Sequence, residues 1–370
     1  MAHVLLIEGF SRALVYFRSP LLRALQRAGH EVTVATDLQP GDGVAEQMVA
    51  MGVRCEHLPI ARNRIRVLGD IWLTWKMWRL FRRTRPDVLL TWTIKPNLYG
   101  PIAGRLAGIR RIGIVFCGLG RLLLSSSLTS RIVWRLLRRS STNATCVIAQ
   151  NPDDLASLRD HRVVVDATNS IVTAGCGVDL EAFPETPLPE RLSILMLGRL
   201  LRSKGVNEYL KAAQIVRKTR PDVFFTIAGM VETGHDAIPE EQLQAAVDRG
   251  DVTSLGFLES QDLVRDAISQ SAIFVLPSWH EGTPHSTLEA MSMGRPVITT
   301  DARGCRETVQ SGVNGELVPV RDAIALAEAI LNLLEDPARL AEMGAASRSM
   351  AESAFDADDV AATIMREMGL

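Results

Sequence analysis

The chain has 370 residues, of which 47% are hydrophobic and 22% are charged, a composition that predicts about two globular domains and excludes a disordered chain or a small disulfide-stapled protein. The net charge of −1 hides an asymmetry, because residues 1–190 carry 24 Lys and Arg against 16 Asp and Glu, whereas residues 191–370 carry 17 against 26. The basic half favours an anionic partner: a membrane, a phosphate-bearing substrate or a nucleic acid. The five cysteines form no CxxC pair, which argues against a disulfide framework or a zinc site.

Short apolar strands alternate with longer helical patterns in the first half of the chain. The predicted strands are residues 3–7, 31–36, 87–91, 111–116, 145–149 and 171–174. The predicted helices are residues 20–28, 69–84, 98–107, 129–139 and 152–158. Continuous apolar strands that alternate with helices are typical of a parallel sheet covered on both faces.

Three prolines, Pro184, Pro187 and Pro189, interrupt this pattern and predict a linker over residues 181–190. The pattern then restarts, with predicted strands at 193–197, 223–228, 253–256, 273–276, 297–300 and 316–318. Helices are predicted at 206–219, 240–247, 260–270, 286–293, 303–309, 323–334, 337–354 and 358–368. The sequence therefore predicts an α/β protein of two doubly wound, Rossmann-like domains that face each other across a cleft, the default ligand site.

The most informative motif follows the predicted strand 273–276 and opens a helix. It reads Glu-Gly-Thr-Pro-His-Ser-Thr-Leu-Glu over residues 281–289. Pro284 suits the start of a helix, and Gly282 lets the backbone approach a ligand closely, so the free N–H groups of this turn would face anionic or hydroxyl groups. Glu281 and Glu289 beside such a turn can bind the hydroxyls of a sugar and of a ribose.

A second, basic motif reads Gly-Arg-Leu-Leu-Arg-Ser-Lys-Gly over residues 198–205, between a predicted strand and a predicted helix. Arg199 can make a bidentate contact with phosphate oxygens, and Lys204 adds a point charge nearby. Taken alone, the motif is equally consistent with a solvated basic loop.

The Glu-x7-Glu motif and residues 290–309 after it resemble the retaining glycosyltransferases of family 4, which have the GT-B fold, and in particular the bacterial subgroup that acts on polyprenyl-diphosphate-linked glycans. The resemblance implies that Glu289 binds the ribose and that Glu281 contacts the transferred sugar. It further implies that Arg199 and Lys204 bind the diphosphate and stabilise the charge that develops as the nucleoside diphosphate departs. It also implies that small residues line the donor: Gly198, Gly229, Gly282 and Thr283. No cofactor and no metal are expected, since the basic pair replaces the Asp-x-Asp of metal-dependent enzymes.

A motif in the first half, Thr-x-Lys-Pro-Asn over residues 93–97, resembles the same subgroup. Lys95 follows the carboxyl end of a strand, so we expect it to point toward the cleft. A diphosphate acceptor or the leaving group could sit there, and Lys95 and Asn97 are the predicted acceptor-binding residues. A plain surface lysine is the alternative interpretation.

Residues 62–85 combine eight Lys and Arg with a single acid and with Trp72, Trp75, Trp78 and Phe81, whose spacing of three predicts a shared helix face. Residues 131–139 repeat the combination around Trp134. Basic residues and tryptophan on amphipathic helices favour a membrane surface, although core aromatics beside a solvated arginine face would give the same pattern. No nucleic-acid partner is expected, because no signature of a nucleic-acid-binding fold is present.

The sequence thus predicts a retaining glycosyltransferase that moves a hexosyl or N-acetylhexosaminyl unit from a UDP-sugar to a polyprenyl-diphosphate-linked acceptor in bacterial surface polysaccharide biosynthesis. It would be a cytoplasmic protein, peripheral on the inner face of the cell membrane. Residues 1–180 would bind the acceptor, residues 191–354 would bind the nucleotide sugar, and residues 355–370 would form a helix that crosses back to the first domain. The alternatives are a UDP-sugar epimerase of similar fold and a non-catalytic donor-binding subunit of a membrane glycosyltransferase.

Overall fold

The computed structural model describes residues 1–61, 67–120, 127–142, 144–165 and 170–370. These residues form two compact units: Met1–Cys176 together with Ala357–Leu370 is the first, and Gly177–Asp356 is the second. Each unit contains one sheet in which neighbouring strands run parallel, with helices between most successive strands. The predicted fold class, two doubly wound Rossmann-like domains, is confirmed.

The sheet of the first unit has the order β3-β2-β1-β4-β5-β6-β7. Its strands are β1 His3–Ile7, β2 Glu31–Thr36, β3 Arg54–His57, β4 Val88–Trp92, β5 Arg111–Phe116, β6 Cys146–Ala149 and β7 Ser170–Val172. The described helices between them are α1 Ser11–Tyr16, α2 Ser19–Arg27, α3 Val44–Ala50, α4 Val67–Thr84, α5 Ile94–Ala107, α6 Leu128–Ser141 and α7 Pro152–Asp160.

Different helices cover the two faces of this sheet. On one face, Phe81 of α4 packs in a core cluster with Ile112 of β5, and Trp134 of α6 packs in a neighbouring cluster with Ile114 of the same strand. Helix α5 contacts both α4 and α6. On the other face, α2 and α3 pack with Val115, which points the opposite way because side chains alternate along a strand. Helices α4, α5 and α6 therefore form one layer.

The sheet of the second unit has the order β10-β9-β8-β11-β12-β13. Its strands are β8 Ser193–Leu197, β9 Phe224–Ala228, β10 Thr253–Gly256, β11 Ile273–Leu276, β12 Val297–Thr300 and β13 Gly315–Val318. Its helices are α8 Val206–Thr219, α9 Glu240–Asp248, α10 Gln261–Ser269, α11 His285–Ser292, α12 Ala323–Leu334 and α13 Pro337–Ala354. The last helix of the chain, α14 Ala357–Glu367, packs against α2 of the first unit.

The proline-rich segment 181–190 belongs to the second unit, which differs from the linker that the prolines predict. The guanidinium of Arg295 is fully buried and donates to the carbonyl oxygens of Thr186 and Pro187, each at 3.1 Å. Ser292 Oγ donates to the carbonyl oxygen of Phe183 at 2.6 Å. A buried cation needs acceptors, and a segment without regular structure has free carbonyl groups to supply them.

Three elements escape the sequence patterns, and one predicted helix is wrong. Strand β3 and helices α1 and α3 are not predicted; β3 is an edge strand whose sequence, Arg-Cys-Glu-His, lacks apolar alternation. The helix predicted over residues 303–309 is only a 3₁₀ turn at Arg306–Thr308. Gly304 has φ of +76°, in the left-handed region, so a regular helix cannot run through it.

Candidate active site

The Glu-x7-Glu motif forms the turn between β11 and α11. Pro284 is the N-cap residue and α11 begins at His285, close to the predicted start. The turn is supported by the loop after β12, where Arg303 O accepts a hydrogen bond from Glu281 N at 3.0 Å. A Cβ at Gly304 would lie 2.3 Å from Glu281 O and 2.4 Å from Gly282 O. Residue 304 must therefore be glycine for the turn to keep this conformation.

Glu281 and Lys204, which the sequence places in two separate motifs, meet in the structure. Lys204 Nζ forms an ion pair with Glu281 Oε1. The buried hydroxyl of Ser278 donates to the same oxygen at 2.7 Å. The Lys204 and Glu281 side chains keep 18% and 11% of their surface exposed. The pair is therefore held by the protein but still open to a ligand.

Close backbone approach brings the two motifs together. Lys204 ends the 3₁₀ turn Arg202–Lys204, and Gly205 then opens α8 with φ of +76°. A Cβ at Gly205 would lie 2.0 Å from Pro277 O, so only glycine fits. On the same side, Trp279 N donates to Ser203 O at 2.8 Å. The loop after β8 and the loop after β11 are thus joined at the carboxyl edge of the sheet, where doubly wound folds bind their ligands.

Arg199 lies in the same β8 loop, and its side chain is 60% exposed with Nη1 3.7 Å from Glu232 Oε1. Of the two glycines predicted to line the donor, Gly229 has a packing reason to be there, whereas a Cβ at Gly198 would meet only Leu276 Cδ1 at an ordinary 3.8 Å. A Cβ at Gly229 would lie 1.7 Å from Gly198 O, because the loops after β8 and β9 run side by side. Gly198 N donates to Ala228 O at 3.0 Å. Gly229 therefore supports the loop packing whether or not it touches a ligand.

Glu289 lies on α11 and is only 9% exposed. Its Oε1 is 2.9 Å from Nδ1 of His285, one helical turn earlier. The imidazole nitrogen is therefore within ion-pair distance of the carboxylate. Thr283, the remaining predicted donor residue, is partly buried in the turn before α11.

Sequence reasoning misses Ser203 and Asp236 at this edge. Ser203 Oγ donates to Asp236 in the segment between β9 and α9, and Asp236 O accepts from Arg202 N at 2.8 Å. His280, next to Glu281, is partly buried, and this burial lowers its pKa. The serine within the basic motif offered a signal for Ser203, whereas nothing around residue 236 marks Asp236. Within the described ranges, no three His, Cys, Asp or Glu side chains are grouped to hold a metal ion.

The predicted acceptor residues lie in the first unit, and their environment differs from the expectation. Helix α5 begins at Ile94, so Lys95 and Asn97 are in its first turn. Lys95 Nζ is 2.6 Å from Asp70 Oδ1 of α4, with side chains only 8% and 5% exposed. Asn97 Nδ2 donates to Val115 O at 2.9 Å. Lys95 therefore does not point freely outward, because a carboxylate inside the same unit binds its ammonium group.

The prediction that the aromatic residues of the basic helices share one face is also wrong in part. Phe81 is 1% exposed and Trp134 is 3% exposed, so both are core residues, whereas Trp72, Trp75 and Trp78 lie on the outside of α4. A step of three residues turns a helix by about 300°, so three such steps rotate Phe81 to the side opposite Trp72. Residues 62–66 of the predicted basic stretch are outside the described residues. None of the described helices is both long and apolar enough to span a bilayer.

Comparison with protein families covers most of the chain. Residues 20–182 match the model described as Glycosyltransferase Family 4, and residues 191–336 match the model described as Glycosyl transferases group 1.

Two curated proteins illustrate the relatives. The alpha-D-kanosaminyltransferase of Streptomyces kanamyceticus is 34% identical over 186 residues, which are 50% of this chain and 47% of that protein. The chain thus matches about half the length of that relative. The N,N'-diacetylbacillosaminyl-diphospho-undecaprenol alpha-1,3-N-acetylgalactosaminyltransferase of Campylobacter jejuni is 23% identical over 342 residues, 88% of this chain and 87% of that protein.

Among solved structures, HepE of Anabaena in complex with UDP and glucose superposes with a TM-score of 0.79 over 100% of both chains, at 18% identity. At that identity, the likeness shows the shared fold alone.

Proposed function

This chain belongs to the family-4, group-1 glycosyltransferases, and we propose that it transfers a hexosyl or N-acetylhexosaminyl unit from a UDP-sugar to a polyprenyl-diphosphate-linked glycan acceptor, with retention of anomeric configuration. The observation that carries the proposal is the meeting of Lys204, Glu281 and Ser278 at the carboxyl edge of the second sheet. Transfer to such acceptors is a step of bacterial surface polysaccharide or glycan biosynthesis.

Arg199 and Lys204 would bind the diphosphate of the donor. Arg199 is largely exposed on the β8 loop, so its guanidinium can turn onto phosphate oxygens without breaking a buried contact. Lys204 is fixed by Glu281 and supplies a point charge with little reorganisation. Cations already in place stabilise the charge that grows on the leaving diphosphate, the largest contribution expected here. We therefore propose transfer that does not require a metal ion.

The two carboxylates would read the hydroxyls of the donor. Lys204 and Ser278 both bind Oε1 of Glu281, which fixes the carboxylate, and we propose that it contacts the transferred sugar. Glu289, within ion-pair distance of His285, would accept hydrogen bonds from the ribose. Backbone groups of Gly282 and Thr283 in the intervening turn would lie along the sugar and diphosphate.

In the proposed reaction, the acceptor hydroxyl attacks the anomeric carbon from the face that the diphosphate leaves. The new bond joins the acceptor oxygen to the anomeric carbon, and the bond between that carbon and the diphosphate oxygen breaks. The proton of the acceptor hydroxyl passes to the departing diphosphate oxygen, so no separate base is needed. Same-face attack retains the configuration.

The acceptor would be presented by the first unit. Asn97 Oδ1 is buried, and no hydrogen-bond partner for it is found among the described residues. The first turn of α5 therefore has a side-chain oxygen that lacks a hydrogen-bond donor. The Campylobacter relative acts on a diphospho-undecaprenol substrate. We propose that this chain likewise meets a lipid-linked acceptor, at the inner face of the cell membrane.

The test is a transfer assay with UDP-sugars and a short-chain polyprenyl-diphosphate glycan, with the anomeric configuration of the product read by NMR. We expect the product to have the anomeric configuration of the donor. Glu281→Gln should form no product, whereas Glu335→Gln, which changes an exposed glutamate of the same unit, should stay active. Epimerised UDP-sugar without transfer would contradict the proposal. An inverted product would contradict retention, and binding without turnover would favour a donor-binding subunit.

A further inference from the structure

The outward side of α4 is unusually apolar for a surface helix. Three of the six tryptophans of the chain lie there, with exposures of 47% for Trp72, 47% for Trp75 and 36% for Trp78. Leu68 and Ile71 precede them at 83% and 62%. Scattered single apolar residues are normal at a surface, but a continuous set on one helix marks an interaction site. We call these five residues the tryptophan face.

Cations accompany the indole rings. Lys76 Nζ lies 4.0 Å from the ring centroid of Trp72, and the guanidinium of Arg79 lies 5.5 Å from that of Trp75. The only acid between residues 67 and 84 is Asp70, which is buried and paired with Lys95. The exposed side of α4 itself therefore carries apolar and cationic residues and no acid; near the end of the helix, Glu56 of β3 pairs with Arg83 at 2.6 Å.

Helix α6 repeats this chemistry in the same layer. Leu128 and Ile132 are 73% and 53% exposed, and exposed Arg131 and Arg135 lie beside them. The helix contains no acid. Helix α5 contacts both α4 and α6. The tryptophan face and the outward side of α6 together form what we call the α4–α6 surface.

We propose that the α4–α6 surface docks this protein on an anionic lipid surface, with the aliphatic and indole groups at the boundary of the acyl chains and the arginines among the headgroups. Tryptophan and snorkelling cations are the residues that interfacial helices use. Each cation near an anionic membrane adds to the attraction. The proposal rests on the proposed function only for the idea that the acceptor lies in the same membrane.

The exposed aliphatic residues favour lipid over nucleic acid. A nucleic acid would be bound by cations and by open aromatic faces that stack on bases. Here Lys76 and Arg79 already lie over two of the rings, and Leu68, Ile71, Leu128 and Ile132 have no use in base stacking. Aliphatic groups of this size are instead suited to the acyl boundary.

The inward side of α4 connects this surface to the proposed acceptor motif. Asp70 accepts a hydrogen bond from Lys95 Nζ at 2.6 Å and from the hydroxyl of Tyr99 at 3.1 Å. Both partners belong to α5, whose first turn carries the acceptor motif. Docking through α4 would therefore bring that motif to the lipid surface where a polyprenyl acceptor resides.

The test measures vesicle binding of the full chain by co-sedimentation and by quenching of tryptophan fluorescence with brominated lipid. Vesicles are phosphatidylcholine alone or a three-to-one mixture with phosphatidylglycerol. We expect binding at least about tenfold tighter to the mixture, and weaker at high salt. Trp72→Gln/Trp75→Gln/Trp78→Gln, and separately Arg131→Glu/Arg135→Glu, should each weaken binding by about tenfold or more.

Matched controls lie in the second unit: Ile324→Gln removes an exposed apolar residue, and Lys211→Glu/Lys218→Glu reverses two exposed cations. Both should bind vesicles as the unaltered chain does. Vesicle binding that survives in the α4 and α6 variants would overturn the proposal. So would the absence of vesicle binding, or tight binding to a single-stranded RNA that those variants abolish.

The design separates this surface from the proposed function. Vesicle binding needs no donor, so Lys204→Ala should bind vesicles normally while losing transfer. The α4 and α6 variants should keep transfer to a water-soluble short-chain acceptor and lose it on a membrane-embedded one. A chain that binds vesicles but transfers no sugar would remove the proposed function and leave the surface in place.

Discussion

Each unit has a lysine–carboxylate pair near the carboxyl edge of its sheet, and the two pairs differ in their access to solvent. The Lys204–Glu281 pair joins two loops, with side chains 18% and 11% exposed. The Lys95–Asp70 pair joins two helices, with side chains 8% and 5% exposed. A hydroxyl from Ser278 supports the first and one from Tyr99 the second. The same chemistry thus provides an accessible site in one unit and helix packing in the other.

If the first-unit pair is structural, breaking it should have the largest effect on stability. Asp70→Asn leaves the Lys95 ammonium buried without its carboxylate, so we expect the free energy of unfolding to fall by about 3–5 kcal/mol in urea denaturation. Asp222→Asn, which breaks the surface pair with Arg220, should leave it nearly unchanged. Equal losses in both variants would show that the Lys95–Asp70 pair is no more important than a surface contact.

Removing the lysine of the second-unit pair should mainly affect catalysis. We expect Lys204→Ala to lower kcat/KM by about 10²–10³, because the leaving diphosphate loses a fixed cation. The control is Lys211→Ala, an exposed lysine on α8, which should retain full activity. If Lys204→Ala lowered the unfolding midpoint as far as Asp70→Asn does and kept its activity, the roles of the two pairs would be reversed.

The accessible pair depends on the close approach of two loops, which glycine substitutions can test. Gly205 and Gly250 have similar φ values of +76° and +72°, but a Cβ at Gly205 would lie 2.0 Å from Pro277 O, whereas nothing lies within 4 Å at Gly250. Gly250→Ala should cost about 1–2 kcal/mol from backbone strain alone. Gly205→Ala should lower the free energy of unfolding by this strain and by up to about 3 kcal/mol more. It should also lower activity, because it separates Lys204 from Glu281. Similar stability and activity in the two variants would contradict the geometry.

The smallest expected effect concerns His285, the residue within ion-pair distance of Glu289. His285→Ala removes the imidazole 2.9 Å from the carboxylate, so we expect KM for the donor to rise by about tenfold while kcat changes less. Steady-state kinetics against His235→Ala, an exposed histidine in the same unit, provides the comparison. An unchanged KM would mean that Glu289 needs no orienting partner.

Sequence predicts the fold where strands are buried on both faces. Strand β11, Ile-Phe-Val-Leu, is wholly buried and reads as a continuous apolar run, so its place is easily predicted. Strand β3 lies at the edge, with mixed polar residues, and carries no such signal. The proline-rich segment 181–190 reads as a linker because sequence does not reveal that buried Arg295 binds its carbonyl groups.

Sequence predicts the site residues less completely than the fold. The motifs point to Glu281 and Lys204 separately, and their ion pair follows only from the packing of loops that are 77 residues apart in the chain. Asp236 has no motif at all. Lys95 shows the opposite failure: its motif is clear, but its partner Asp70 lies 25 residues earlier, on a helix that the sequence associates only with a membrane surface.

The most direct test of the donor site is thermal unfolding of the full chain with a panel of UDP-, GDP-, dTDP- and ADP-sugars, each with and without Mg²⁺. The account predicts a rise of the unfolding midpoint with one UDP-sugar, equal with and without the metal ion, and absent in Lys204→Ala. No rise with any nucleotide sugar, or an equal rise in Lys204→Ala, would contradict the claim that the Lys204–Glu281 pair forms the donor site.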